Sequence, residues 1–471
     1  MIFDDKYSLT ISGEAVEAQS SVDVINPATG KVFARAPAAN ADILDRAVAA
    51  ARSAFSDWRA LPIEERRRYL LQLADEIDRN AAGMGALFTR EQGRPLAQAT
   101  REIATGARWL REVATQNVPI DVVEDSAARR VEVHYVSLGV VAAIVPWNFP
   151  FLLSIWKIAP ALLTGNTVVL KPSPYTPLCA LKLGELARGI LPPGVLNVLS
   201  GDDTLGPLMS SHPGFAKITF TGSTATGKRV MAAAAKDLKR ITLELGGNDA
   251  AIVLADADPG TVAEAMFASA FFNTAQVCIA TKRLYVHADI YDAVRDRLHA
   301  LARAAVVGDG SLEGVTHGPV QNLAQYRRVN TMIADAEASG LTLLRGSSVP
   351  EGAGYFIPLT LVDNPPDDAA VVREEAFGPI LPLLRFRDLE DVIARTNDSE
   401  YGLAASVWSR DVASALAVAQ RLDTGSIWIN QNRQVAAHVP FAGFKQSGFG
   451  VENGREGLLE FTQRKAIYIP K

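Results

Sequence analysis

Between positions 140 and 245, short and wholly apolar runs alternate with helix-length segments. This alternation constrains the fold more than anything else in the chain. VVAAIV (140–145) precedes a helical stretch over 151–163, and TVVLK (167–171) precedes one over 177–188. VLNVLSG (195–201), KITFTG (217–222) and RITLEL (240–245) continue the series. A strand that is apolar on both faces is buried on both faces, and intervening helices return the chain in parallel. The expectation is a parallel sheet with helices on both sides. A second series begins with AAIVL near Ala250 and reaches Asn430, through helical 261–272, LYVHA, helical 289–304, LPLLRF and SIWIN. It predicts a second α/β domain, with the boundary near Gly246 and Gly247.

The first third reads as helical. Leu44, Val48, Ala51 and Phe55 recur at helical spacing over 41–58, and 63–80 repeats the pattern. Over 130–137 alternation takes over, with Val131, Val133, Tyr135 and Ser137 on one face of a strand. KAIYI (465–469) has no following helix, and it is expected to add to another sheet edge, with a partner subunit's edge as one candidate. At 471 residues the chain has room for two or three domains and a core that needs no disulfide.

Charge and cysteine usage exclude several classes. The net charge is −5 and no Lys/Arg run stands out, so neither nucleic acid nor an anionic membrane is an expected partner. MIFDDKYSLT lacks the basic and apolar regions of a secretion signal. The most apolar stretch, 139–170, is interrupted by Pro146, Pro150, Lys157 and Pro160, too often for a membrane span. The two cysteines, Cys179 and Cys278, offer no disulfide framework and fit a reducing cytoplasm. No metal ligand set is expected.

Several short motifs can carry chemistry. Cys278 lies in FFNTAQVCIATKR, where Asn273 and Gln276 break an apolar helix into a loop. Cysteines pack more often than they react, but a loop position favours function. Cys179, on an apolar helical face, reads as core. Glu244 in TLELGGND interrupts an apolar strand before a double glycine. It is either a structural ion-pair member or a carboxylate whose raised pKa suits a general base. Asn148 lies in a loop fixed by Pro146 and Pro150, as a turn former or an oxyanion donor. Gly222-Ser223-Thr224-Ala225-Thr226-Gly227 joins a strand to a helix N-terminus, which is an anion site or only a tight turn. Lys171 ends its strand either at a ribose hydroxyl or in solvent. EEAFGP (374–379) brings Glu375 to a ribose and Phe377 to a nicotinamide face, unless it is a solvated turn.

PWNFP, KPSPYTP, FTGSTATG, LELGGN, NTAQVC, EEAFGP and PFAGFKQSG occur in this order along the chain. Together they resemble the aldehyde dehydrogenase superfamily, over nearly the whole length. The resemblance implies an NAD(P)-dependent, hydrolytic enzyme, with Cys278 as nucleophile, Asn148 as oxyanion donor, Glu244 as general base and Lys157 supporting proton transfer. It implies cofactor contacts at Val145, Pro146, Trp147, Lys171, Ser173, Gly222, Ser223, Gly227, Glu375 and Phe377. Phe149, Trp156, Phe272 and Phe441 match the aromatic lining of a substrate tunnel. The implied fold is α/β: a Rossmann-like cofactor domain (1–117 and 139–246), a second α/β catalytic domain (247–430), and a small β oligomerisation and bridging element (118–138 and 431–471). A homodimer or homotetramer is implied as well. Two other readings stay open: a thiol esterase or acyl transferase, and a catalytically silent binding protein on the same fold.

The chain departs from the family pattern in two places. Pro174 stands where many NAD-preferring relatives carry a glutamate that binds the ribose and repels a 2′-phosphate. NAD is the expected cofactor, with NADP admitted because Lys171 and Ser173 can receive its phosphate. Arg433 and His438, before Pro440, are unusual for their region. They belong either to a solvated loop or to the recognition of a polar or anionic group on the substrate.

Overall fold

The computed structural model describes residues 6–471. Two large sheets dominate it. The first has eight strands, in the order Glu14–Val16, Leu9–Ile11, Leu196–Val198, Thr167–Lys171, Val140–Ile144, Lys217–Thr221, Arg240–Glu244 and Gly448–Phe449. Its five inner strands run parallel and its edge strands antiparallel. The five strands read from apolar runs are these five. Starting from Val140–Ile144, the chain builds outward to one side and then crosses to Lys217–Thr221 on the other. The strand order therefore reverses between Val140–Ile144 and Lys217–Thr221. In an open α/β sheet, ligands bind in the crevice at the carboxyl ends of the strands flanking such a reversal.

The second sheet has seven strands, in the order Thr342–Arg345, Thr360–Asp363, Ile380–Phe386, Arg283–His287, Ala250–Val253, Ala404–Trp408 and Ser426–Ile429. Both of its faces are buried. Ala250 and Ile252 enter one apolar cluster with Tyr285 and Leu384, while Ala251 and Val253 enter another with Leu284 and Leu383. The period of two thus distributes successive apolar residues to opposite helical layers.

Three features depart from the sequence-based expectation. The first third is not helical throughout: Leu9–Ile11 and Glu14–Val16 join the first sheet, and Ser20–Asn26 pairs with Lys31–Ala38 in a hairpin. Of Ser20–Asn26 only Val24 is buried, so a hydrophobic count gives this strand little weight. The helix expected over 261–272 ends earlier, spanning Pro259–Ala270, and a tight turn follows at Phe272–Ala275. The terminal strand, Thr462–Pro470, finds a sheet edge within its own chain: it pairs antiparallel with Arg129–Ser137, which in turn pairs with Ile120–Asp125. Both terminal-strand faces are largely exposed, so pattern alone cannot name the neighbour. Among the described residues no helix is long and apolar enough to cross a membrane.

Candidate functional site

Cys278 sits in irregular chain after the turn Phe272–Ala275. Asn273, Thr274 and Ala275 all have left-handed backbones, with φ of 50°, 54° and 62°. Each such non-glycine residue costs about 1–3 kcal/mol unless its surroundings impose it. Here hydrogen bonds do so. Thr274 Oγ1 donates to the Gly318 carbonyl at 2.8 Å, and Asn273 Nδ2 donates to the Asn148 carbonyl at 3.2 Å. Gln276 Nε2 donates to the Asn273 carbonyl at 2.8 Å, and Gln276 Oε1 accepts from the Gln321 N–H at 2.8 Å. Buried Arg94 braces the turn from the other side. It donates to Asn273 Oδ1 at 3.1 Å and to the Asn148 carbonyl at 2.7 Å, and it forms an ion pair with buried Glu102.

The loop faces Glu244, the last residue of Arg240–Glu244, and Asn148, which precedes the buried helix Pro150–Leu163. Asn148 Nδ2 donates to the Gln276 carbonyl at 3.0 Å. A primary amide has two N–H bonds, so one remains for an oxygen that gains charge nearby. Both Glu244 carboxylate oxygens are buried without a protein hydrogen-bond partner of ordinary geometry. Burial first, then repulsion from Glu452, pushes Glu244 up to about 8; the neighbouring Cys278 thiol and the Lys157 ammonium hold it back. Burial and the Glu244 charge likewise push the Cys278 thiol well above its ordinary range. Cys278 as a residue is half-buried and lines a cavity.

Lys157 is buried on the helix Pro150–Leu163. Its ammonium donates to Thr219 Oγ1 at 3.2 Å and pairs with the Glu452 carboxylate. Glu452 was not among the sequence candidates, and no local motif marks it. It reaches the site because Gly448–Phe449 pairs with Arg240–Glu244 and because Phe441 bridges Glu452.

A cavity of about 170 Å³ opens on Cys278, Glu244 and Asn148 and reaches Pro146, Trp147, Gly222, Ser223, Glu375 and Phe377. It occupies the point where the strand order reverses. Ser223 caps the helix Thr224–Ala235, leaving that helix N-terminus beside the cavity. Two glycines let neighbours approach closely: a Cβ on Gly246 would meet the Glu375 carboxylate, and one on Gly227 the Leu245 side chain, so that side chain would have to shift. Trp147 and Phe377 meet edge to face at 5.4 Å. Glu375 is neither free nor in a solvated turn: it accepts from the Gly247 N–H at 3.1 Å and pairs with Lys282 at 3.1 Å. Lys282 also donates to the Cys278 carbonyl. Thr221, Leu245, Gln325 and Arg328 complete the lining and were not read from the sequence.

Other expected contacts lie at the same sheet ends. The Val145 N–H donates to the Lys171 carbonyl at 3.0 Å. Lys171 does not end in solvent. It is 5% exposed, and burial pushes its ammonium down to about 8. Ser173 is buried beside it and Pro174 is partly exposed. The four expected tunnel aromatics form two pairs. Phe149 stacks on Phe272 at 6.2 Å, and Trp156 meets Phe441 edge to face at 5.8 Å. Val277 is buried and Ile279 half-buried, His438 is exposed, and Arg433 is partly buried over Phe272. Cys179 is fully buried.

The comparisons with known proteins agree with this geometry. The model of the aldehyde dehydrogenase family matches residues 15–467. An aldehyde dehydrogenase named LUC3 from a Fusarium species is 41% identical over 98% of this chain and 98% of its own length. The solved NAD+ complex of an aldehyde dehydrogenase from Bacillus cereus superposes with a TM-score of 0.96 at 35% identity, over 99% of this chain and 96% of the other. An NADP-dependent enzyme of E. coli does so with a TM-score of 0.96 at 37% identity, over 99% and 98%. The chain belongs to the aldehyde dehydrogenase family.

Proposed function

We propose that the protein oxidises an aldehyde to its carboxylic acid by way of a thioester on Cys278, with the nicotinamide end of a dinucleotide entering the cavity beside it. The observation that carries this reading is that Cys278, Glu244 and Asn148 open on the same cavity as the helix N-terminus at Ser223. The surroundings suit such a cofactor. The helix N-terminus offers N–H groups to a pyrophosphate, Lys171 and Glu375 offer partners for ribose hydroxyls, and Trp147 and Phe377 offer aromatic surface in the cavity lining.

The residues then act in sequence. Cys278 Sγ, having lost its proton, adds to the aldehyde carbon, and the carbonyl electron pair moves onto oxygen. The free N–H of Asn148 stabilises that oxygen. A bound nicotinamide would supply the acceptor for the hydride that leaves the same carbon. A thioester on Cys278 remains. Glu244 takes a proton from water, the water oxygen attacks the acyl carbon, and the C–S bond breaks to release the acid and the thiolate. Lys157 and Glu452 set the charge balance behind Glu244. The presence of Glu244 favours water over a thiol acceptor in this last step.

We take NAD as the first cofactor. NADP is admitted because Pro174 brings no carboxylate of its own against a 2′-phosphate. Domain roles follow the sheets: the first holds the cofactor, the second carries the loop of Cys278, and Ile120–Asp125 is offered for assembly into a homodimer or homotetramer. Ile120, Val122 and Val123 on that strand are exposed apolar residues, a state that pairing with another chain relieves. The two free cysteines fit a cytoplasmic enzyme. The test is the formation of reduced nicotinamide from an aldehyde panel with NAD and with NADP. Ester cleavage without any reduced nicotinamide would instead mark a thiol esterase.

A further inference from the structure

Arg433 is the second guanidinium on the Phe272 ring. It lies 4.4 Å from the ring centre, and Arg94 lies 5.7 Å from it. The two are treated differently by their surroundings. Arg94 is satisfied by Glu102, Asn273 and the Asn148 carbonyl. Arg433 has no ion pair among the described residues, and its Nε is buried without a hydrogen-bond partner. Burial and the repulsion of Arg94 push it down to about 10. The attraction of one aromatic ring recovers only a fraction of what it costs to bury an unpaired charge.

The charge is nonetheless held in place. Arg433 has a left-handed backbone, with φ of 51°. Its neighbours are pinned on both sides: Asn432 Nδ2 donates to the Ala265 carbonyl at 3.1 Å, and the Gln434 carbonyl accepts from Trp428 Nε1 at 2.9 Å. Strain and an unpaired charge at one position are features that stability alone does not retain. Phe272 leads directly to the reacting end: it stacks on Phe149, which adjoins Asn148, and it opens the turn before Cys278.

We propose that Arg433 receives a carboxylate carried by the substrate at the end remote from its aldehyde, so that the preferred substrates are semialdehydes with an apolar or aromatic body between the two groups. This rests on the aldehyde-oxidising reading above and names the substrate class for the same site. Of the two residues singled out before Pro440, Arg433 carries this role, and exposed His438 does not.

The test compares 4-carboxybenzaldehyde with 4-formylbenzamide, equal in size and different in charge, on wild type, Arg433→Met and Arg433→Lys. In Arg433→Met, kcat/KM for the carboxylate falls about 10- to 100-fold, mainly through KM, while the amide is unaffected. Arg433→Lys keeps part of the preference, because an ammonium supplies charge without the planar fork. Independently of turnover, terephthalate protects Cys278 from alkylation in wild type and not in Arg433→Met. Arg433→Met also melts no lower than wild type, because it removes a partly buried charge with no ion pair among the described residues. Equal losses for both aldehydes, equal protection by terephthalate in both proteins, or a marked fall in melting temperature would each overturn the proposal while leaving aldehyde oxidation intact. Failure of wild type to reduce either cofactor with any aldehyde would overturn the functional reading instead.

Discussion

Lys157 and Glu452 form a buried ion pair between residues 295 positions apart, and they act on Glu244 with opposite signs. Lys157 favours the charged carboxylate and Glu452 opposes it. Glu452→Gln should therefore move the acid limb of the kcat–pH profile to lower pH, and Lys157→Met should move it higher. Shifts in the same direction, under conditions where deacylation limits turnover, would contradict this assignment. Lys157→Met should also destabilise the fold by about 3–5 kcal/mol, because it leaves Glu452 buried and uncompensated. Chemical denaturation checks this.

Glu244→Gln should give one burst of reduced nicotinamide per site and then stall, with steady-state turnover down about 10²- to 10⁴-fold. The same variant has a stability signature. Glu244 is raised in the fold from 4.5 to about 8, so the native state disfavours its ionised form. Below pH 4.5 the carboxyl is protonated in both states and carries no penalty; the penalty grows as pH rises and is complete above about 8. The melting temperature of Glu244→Gln should therefore gain on wild type steadily across that window.

The thiol responds to the same charge. The ionised Glu244 pushes Cys278 upward, so removing it should make the thiol easier to ionise. At pH 9 the cofactor-free Glu244→Gln protein should react faster with iodoacetamide than wild type, counted by mass spectrometry. Cys278→Ala should take up no label and oxidise no aldehyde, while still quenching NADH or NADPH fluorescence on binding.

Asn148→Ala removes both the free N–H and the bond to the Gln276 carbonyl. It should lower kcat/KM about 10²- to 10³-fold, the range for one lost oxyanion donor. Unchanged cofactor affinity would place the loss in the chemical step.

Pro174→Glu should place a carboxylate near Lys171, where a 2′-phosphate would arrive. The ratio of kcat/KM for NAD over NADP should rise about tenfold or more, equivalent to about 1.4 kcal/mol. An unchanged ratio would mean that the phosphate is received elsewhere.

What the sequence disclosed followed from burial. Thr167–Lys171 and Ala250–Val253 are buried on both faces, so their apolar runs announced them. Ser20–Asn26 buries only Val24 and stayed hidden, although Asn26-Pro27-Ala28-Thr29-Gly30 marks its turn. Cys278, Glu244 and Asn148 stood out because each disturbs a local pattern. Glu452, Arg94 and Lys282 disturb none. Their roles come from partners brought together by tertiary packing, which periodicity does not encode. Comparison with the family pattern marked Arg433 as unusual, but only the structure shows that it has no counter-ion among the described residues.

The pairing of Gly448 with Glu244, and of Ser447 with Leu245, has a consequence for the order of assembly. During synthesis the strand that carries Glu244 and the loop that carries Cys278 emerge well before residues 441–452. Until that segment arrives, the strand lacks its outer neighbour and Lys157 lacks Glu452. On the proposed roles of Cys278 and Glu244, a nascent chain would thus have its nucleophile in hand without a tuned base. It matures into a competent enzyme only when its two α/β halves are stitched together by one late-arriving thread.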